Sequence, residues 1–231
     1  LFATGKATAS GGETAFVPND YGAFTADTIL FDANVFPSDT AKTIYLGKDN
    51  LPDMSTGEDT IDATSNYVII DGNNVTQGDG IFIPSDNNTV KGLCITHFPS
   101  NGISISLGRN NRILNNCIWG IKGLWGIAIS RSPNTVVQGN RVGVDRTGLI
   151  IEGQKSNYGI TVYISGIEGS LDSSGTLIGG YGTNEGNLLL GNHTAIGLVG
   201  VSSVRVIGNV MGKNKDKGIF IGSSEYITEN H

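Results

Sequence analysis

The chain has 231 residues, 38% of them hydrophobic and 16% charged, with a formal net charge of −6. That is enough apolar material for a core and too little charge for a disordered chain. Its 15 lysines and arginines form no run, which argues against a nucleic-acid partner. No apolar stretch approaches the ~20 residues that span a bilayer, so no membrane span is expected.

Residues 1–65 form the less regular part of the chain, with the first candidate strands at "DTILFD" (27–32), "KTIYLG" (42–47) and "DTIDA" (59–63). "NYVIIDGNN" (66–74) follows in the same style. From Gly80 a unit Gly-Ile-x-Ile recurs, at 80–83, 102–105, 126–129 and 218–221, with variants at 159–162 and 195–198. A second unit places an aliphatic residue three positions before an asparagine: Ile113/Asn116, Val137/Asn140, Leu189/Asn192, Val206/Asn209 and Ile227/Asn230. The 34 glycines are about twice the ordinary ~7% share and fall between these runs, as turns would.

Alternation with a period of two marks strands, and each run is too short for a helix. Short strands repeating every ~20 residues describe a solenoid of stacked coils. The expected fold is therefore all-β, a right-handed parallel β-helix forming a single domain over 1–231. Residues 143–186 form an expanded, loop-bearing region within it. In each Gly-Ile-x-Ile unit the two aliphatic residues face inward and the middle residue outward. The outward column reads Phe82, Ser104, Ala128, Thr161, Gly197 and Phe220, without a charge.

Stacked coils give the polar residues structural work. Asn116 is expected to align with Asn140, Asn192, Asn209 and Asn230 in a ladder of side-chain amides. Asn110 aligns with Asn87 and Asn134 at the preceding turn, where asparagine tolerates left-handed dihedrals. Cys94 and Cys117 occupy equivalent places in successive repeats, which brings their Cα atoms to ~4.8 Å, within disulfide range. Their parallel Cβ vectors suit a disulfide poorly, so a bond and two free thiols both stand.

The strings "DTILFDANVFP", "DTIDATSNYVIIDG", "NGISI", "NTVVQGNRVGVDRTG", "GTLIGG" and "EGNLLLGN" carry a likeness beyond fold. With them the chain resembles the bacterial secreted right-handed parallel β-helix repeat proteins of the pectin-lyase-like superfamily. In particular it looks like the group often headed by a CSLREA-type motif, although that header is absent here. The resemblance implies an extracellular or cell-surface protein. Relatives in the wider superfamily cleave or epimerise acidic polysaccharides.

A β-helix lyase sets carboxylates to hold Ca2+ against uronate groups, beside an arginine or lysine base. Calcium is therefore expected only if that activity is present. The neutral outward column offers no such set, and Asp145, Arg146, Glu152 and Lys155 are the remaining catalytic candidates. As loop residues they read more simply as solvated charges. His97, His193 and His231 have no partner at a metal-ligand spacing, so no metal site is expected. Trp119, Trp125, Tyr158 and Tyr163, with Tyr181, are candidates for a platform on which sugar faces stack, against a simpler role covering coil junctions. The expected function is a scaffold or adhesion module without catalysis, binding a polysaccharide or cell-surface glycan; a lyase or hydrolase is the alternative. The chain ends in "EYITENH" without a polar cap, so further repeats or a capping partner are expected at that end.

Overall fold

The computed structural model describes residues 26–151, 158–164 and 172–222. Its strands follow one another in seven coils. The first coil holds β1 (Thr28–Leu30) and β2 (Lys42–Tyr45). The second holds β3 (Thr60–Asp62), β4 (Val68–Asp71) and β5 (Ile81–Ile83), and the third β6 (Thr89–Lys91), β7 (Cys94–Thr96) and β8 (Ile103–Ser106). Next come β9 (Arg112–Leu114), β10 (Cys117–Trp119) and β11 (Trp125–Ser130), then β12 (Val136–Gln138), β13 (Arg141–Val142) and β14 (Tyr158–Tyr163). The last two coils hold β15 (Leu177–Gly179), β16 (Leu188–Leu190) and β17 (Thr194–Val199), then β18 (Arg205–Ile207), β19 (Val210–Gly212) and β20 (Lys217–Gly222).

Equivalent strands pair in parallel, coil on coil, into three sheets. The first runs β1-β3-β6-β9-β12-β15-β18, the second β2-β4-β7-β10-β13-β16-β19, and the third β5-β8-β11-β14-β17-β20. The first and second sheets each turn one aliphatic column inward and the third turns two, because successive side chains on a strand point to opposite faces. Ile61, Val90, Ile113, Val137 and Ile178 fill the column from the first sheet, and Ile70, Ile95, Ile118, Val142 and Leu189 that from the second. The third sheet carries the Gly-Ile-x-Ile register as expected, with Ile127 opposite Ile103 and Ile160, and Ile129 opposite Ile105 and Val162.

The glycine of that unit has a steric cause. It stands at the corner where the chain leaves the second sheet for the third, and a Cβ there would point into the core. At Gly126 that atom would lie 2.4 Å from Val142 Cγ1 and 2.8 Å from the Gly159 carbonyl. At Gly159 it would lie 2.5 Å from the Ala195 carbonyl. All three distances are below contact, so a side chain at either glycine would push the next coil away.

The turns between the first and second sheets are tied by amides. Asn116 donates from its backbone N–H and its side chain to Asn140 Oδ1, at 3.0 and 3.1 Å. Asn140 does the same to Asn187, and Asn187 to Asn209. The ladder thus exists, but its member in the sixth coil is Asn187, where the spacing rule had placed Asn192. A turn between Gly180 and Gly186 stretches the interval from Ile178 to Asn187 and hides the pattern. Asn192 stands one corner further on, after the second sheet, and donates to Asn214 Oδ1 at 3.0 Å. Its own Oδ1 has no hydrogen-bond partner, since in the preceding coil the chain departs at Val144 into a hairpin. Asn230 lies outside the described residues.

A second column, unremarked in the sequence, precedes the first sheet. Asn88 donates to Asn111 Oδ1 at 2.7 Å, Asp59 to Asn88 Oδ1 at 3.1 Å, and Asp27 to Asp59 Oδ1 at 3.1 Å, each from its backbone N–H. Beside it Asn87, Asn110 and Asn134 adopt φ of 62°, 56° and 58°. They link on the surface, side chain to side chain.

Candidate functional site

Two outer faces gather the candidate side chains. On the third sheet the outward column is short and neutral in the middle: Ser104, Ala128, Thr161 and Gly197 are all buried. Two aromatic side chains meet on this face. Trp125 opens β11 and Tyr163 closes β14, on neighbouring strands, yet their ring centroids lie 4.8 Å apart at an interplanar angle of 30°. Rings starting so far apart meet only by leaning in from both ends of the strands, above Ala128 and Thr161. Both rings remain partly exposed on their outer faces.

Tyr158 pairs with Trp125 in register, and its ring lies 6.1 Å from that of His193 in the next coil. Aromatic side chains thus follow one edge of the sheet in three successive coils. Burial pushes the Tyr163 phenol above its usual pKa, against a hydrogen bond with Ser130; Asp79 adds to the rise and Arg131 opposes it. The phenol stays neutral at physiological pH and keeps its O–H. Beneath the rings Thr161 Oγ1 is buried with no hydrogen-bond partner. The surface can stack on a flat apolar face and exchange hydrogen bonds with hydroxyl groups beside it.

The second sheet's outer face is closed. Cys94 and Cys117 are adjacent in register, with Cα atoms 4.5 Å apart, and a disulfide joins them. Trp119 packs beside them together with Tyr67, Ile69 and Ile151. Trp119 is thus separated from Trp125, Tyr158 and Tyr163, while Tyr181 is 92% exposed on the turn after β15. A hairpin, with Val144 bridging Ile150 antiparallel, covers the cluster. Arg146 reaches from its tip back to the second coil. There Nη1 donates to the Asn66 carbonyl at 2.7 Å, and the guanidinium sits 4.8 Å over the Tyr67 ring.

Asp145 shapes that tip: its Oδ1 accepts from the Thr147 N–H, the Thr147 hydroxyl and the Leu149 N–H. Partial burial acts to raise its pKa, and these bonds outweigh it and hold the carboxyl below 3.8. Asp145 and Arg146 are therefore built into the hairpin, and the structure brings neither to the third sheet's outer face. Glu152 and Lys155 lie outside the described residues. Other carboxylates also have structural partners: Asp62 pairs with Lys91 at 2.9 Å, Asp71 with His97 at 3.2 Å, and Asp86 accepts from the Arg109 N–H. Among the described residues no group of three or more His, Cys, Asp or Glu is placed to hold a metal ion.

The family model described as "Right handed beta helix region" matches residues 54–184, more than half of the sequence. The chain belongs to the right-handed β-helix family. No curated protein and no solved structure matches the chain significantly. The family match spans the second coil to the turn after β15, so it includes both the aromatic pair of this β-helix and its hairpin.

Proposed function

We propose that this β-helix is an extracellular scaffold that holds a neutral carbohydrate chain along its third sheet and does not turn it over. The likeness to the bacterial secreted, CSLREA-headed repeat proteins supports the location. The observation that carries the reading is the Trp125–Tyr163 pair above a neutral outward column. Such rings stack on the C–H faces of sugars, and the adjacent Tyr158 and His193 extend the contact along the axis, as a polymer requires. A role in adhesion follows if the glycan is displayed on a surface. The engagement of Asp145 and Arg146 in the hairpin supports a holding function over a lytic one.

The test combines binding and turnover. On a glycan array the protein should retain neutral polysaccharides, and Trp125→Ala should weaken retention about tenfold, the scale of a lost stacking contact. Incubation with uronate-containing and neutral polysaccharides in the presence of Ca2+ should yield neither unsaturated products nor new reducing ends. Release of such products, lost in Asp145→Ala or Arg146→Ala, would replace this reading with a lyase or hydrolase. Retention unchanged in Trp125→Ala and Tyr163→Ala would remove the sugar platform.

A further inference from the structure

A cavity of about 250 Å3 lies on the opposite side of the molecule, at the corner between the first and second sheets. The Asn115–Asn116 turn, Cys117 and Thr64 form its floor and walls, and Arg141 and Arg146 supply its charge. We infer that this cavity is a binding site for an oxyanion group, a carboxylate or a sulfate, carried by a small ligand.

Among the described residues no carboxylate lies within ion-pair distance of Arg141 or Arg146. The nearby acids are already used. Asp62 is held by Lys91 and accepts from the Thr64 hydroxyl at 2.6 Å, and Asp145 is consumed by its own turn. None of the residues lining the cavity is acidic. A guanidinium has five N–H donors, and Arg146 commits one of them to the Asn66 carbonyl.

Geometry then makes the pair more than a surface charge. Arg146 is clamped by a backbone carbonyl on one side and the Tyr67 ring on the other, so little side-chain entropy remains to be lost on binding. Arg141 is adjacent to Cys117 in register, and the disulfide fixes the strands beneath it. A planar guanidinium presents paired N–H groups that match two oxygens of one carboxylate or sulfate. The cavity is several times the ~30 Å3 share of a liquid water, so the anionic group can enter with part of its carrier.

The experiment is an amide-resolved titration of the 15N-labelled protein with sodium sulfate and with sodium galacturonate, chloride holding the ionic strength constant. Saturable shifts are expected at Gly92, Asn115, Asn116 and Cys117. In Arg141→Gln the affinity should fall about tenfold, the loss of a charge-assisted hydrogen bond, with the melting temperature unchanged. Arg141→Lys should restore part of it. Saturation by sulfate alone assigns a tetrahedral oxyanion, and saturation by galacturonate alone a sugar carboxylate. Non-saturating shifts, or equal affinity in wild type and Arg141→Gln, overturn the inference. Trp125→Ala should leave this titration unaltered, which separates it from the third-sheet reading.

Discussion

The fully buried Asn140 side chain bonds to the coils on both sides of its own. Its Oδ1 accepts from the Asn116 N–H and side chain, and its Nδ2 donates to the Ile113 carbonyl at 2.8 Å and to Asn187 Oδ1 at 2.9 Å. Alanine at 140 would leave groups on two coils without partners in a site closed to water. Asn140→Ala should cost about 3 kcal/mol, read from urea unfolding midpoints, whereas the exposed Asn134→Ala should cost under about 1 kcal/mol. Gly126 illustrates the steric counterpart. Its added methyl would meet Val142 and the Gly159 carbonyl, so Gly126→Ala should destabilise by about 2 kcal/mol in the same assay. Ala195 occupies the same column naturally, where the next coil presents the flexible Met211 in place of a branched aliphatic.

The hairpin over the second sheet joins coils far apart in sequence. Arg146 contacts Asn66 across 80 residues, and the disulfide beneath closes 23. Removing it by the paired change Cys94→Ala and Cys117→Ala should lower stability by about 3 kcal/mol, from the lost restriction of the unfolded chain. Urea unfolding with and without reductant checks this: reductant should shift the midpoint of the wild type only. Asp145 makes the tip sensitive to acid. Its folded pKa lies below the ordinary 3.8, so its contribution is complete above pH 3.8 and is lost as pH falls through the lower folded value. The amide signals of Thr147 and Leu149 should titrate in that acid range, and Asp145→Asn should abolish the titration.

At the scale of the molecule, stability passes from coil to coil, since each strand pairs only with its equivalents above and below. β14 is paired on both sides, with β11 and β17, and its Ile160 and Val162 are fully buried. β20 pairs with β17, and its inward residues Ile219 and Ile221 are 42% and 48% exposed. Amide exchange should therefore be slowest in β11 and β14 and faster in β20 by at least about tenfold. Uniform protection along all three sheets would contradict this one-dimensional picture.

Much of the coil was legible because its causes are local and periodic. The Gly-Ile-x-Ile unit specifies a corner without a side chain followed by two inward aliphatics, and four copies with two variants mark the third sheet. Adjacent placement of Cys94 and Cys117 follows from the repeat length alone, although the bond between them does not. Asn187 escaped because an inserted turn lengthened its interval from Ile178, and a spacing rule cannot count across an insertion. Trp119 and Trp125, six residues apart, are indistinguishable by composition and point to different faces. What sequence by itself determined is the repeat, hence the parallel β-helix, its inward columns and its left-handed asparagine turns. Tertiary structure alone decided which rings meet over the third sheet, that Asp145 and Arg146 serve a hairpin, and that Arg141 and Arg146 border one cavity. Those depend on loops crossing between coils, where contact is set by three-dimensional packing and leaves no period in the chain.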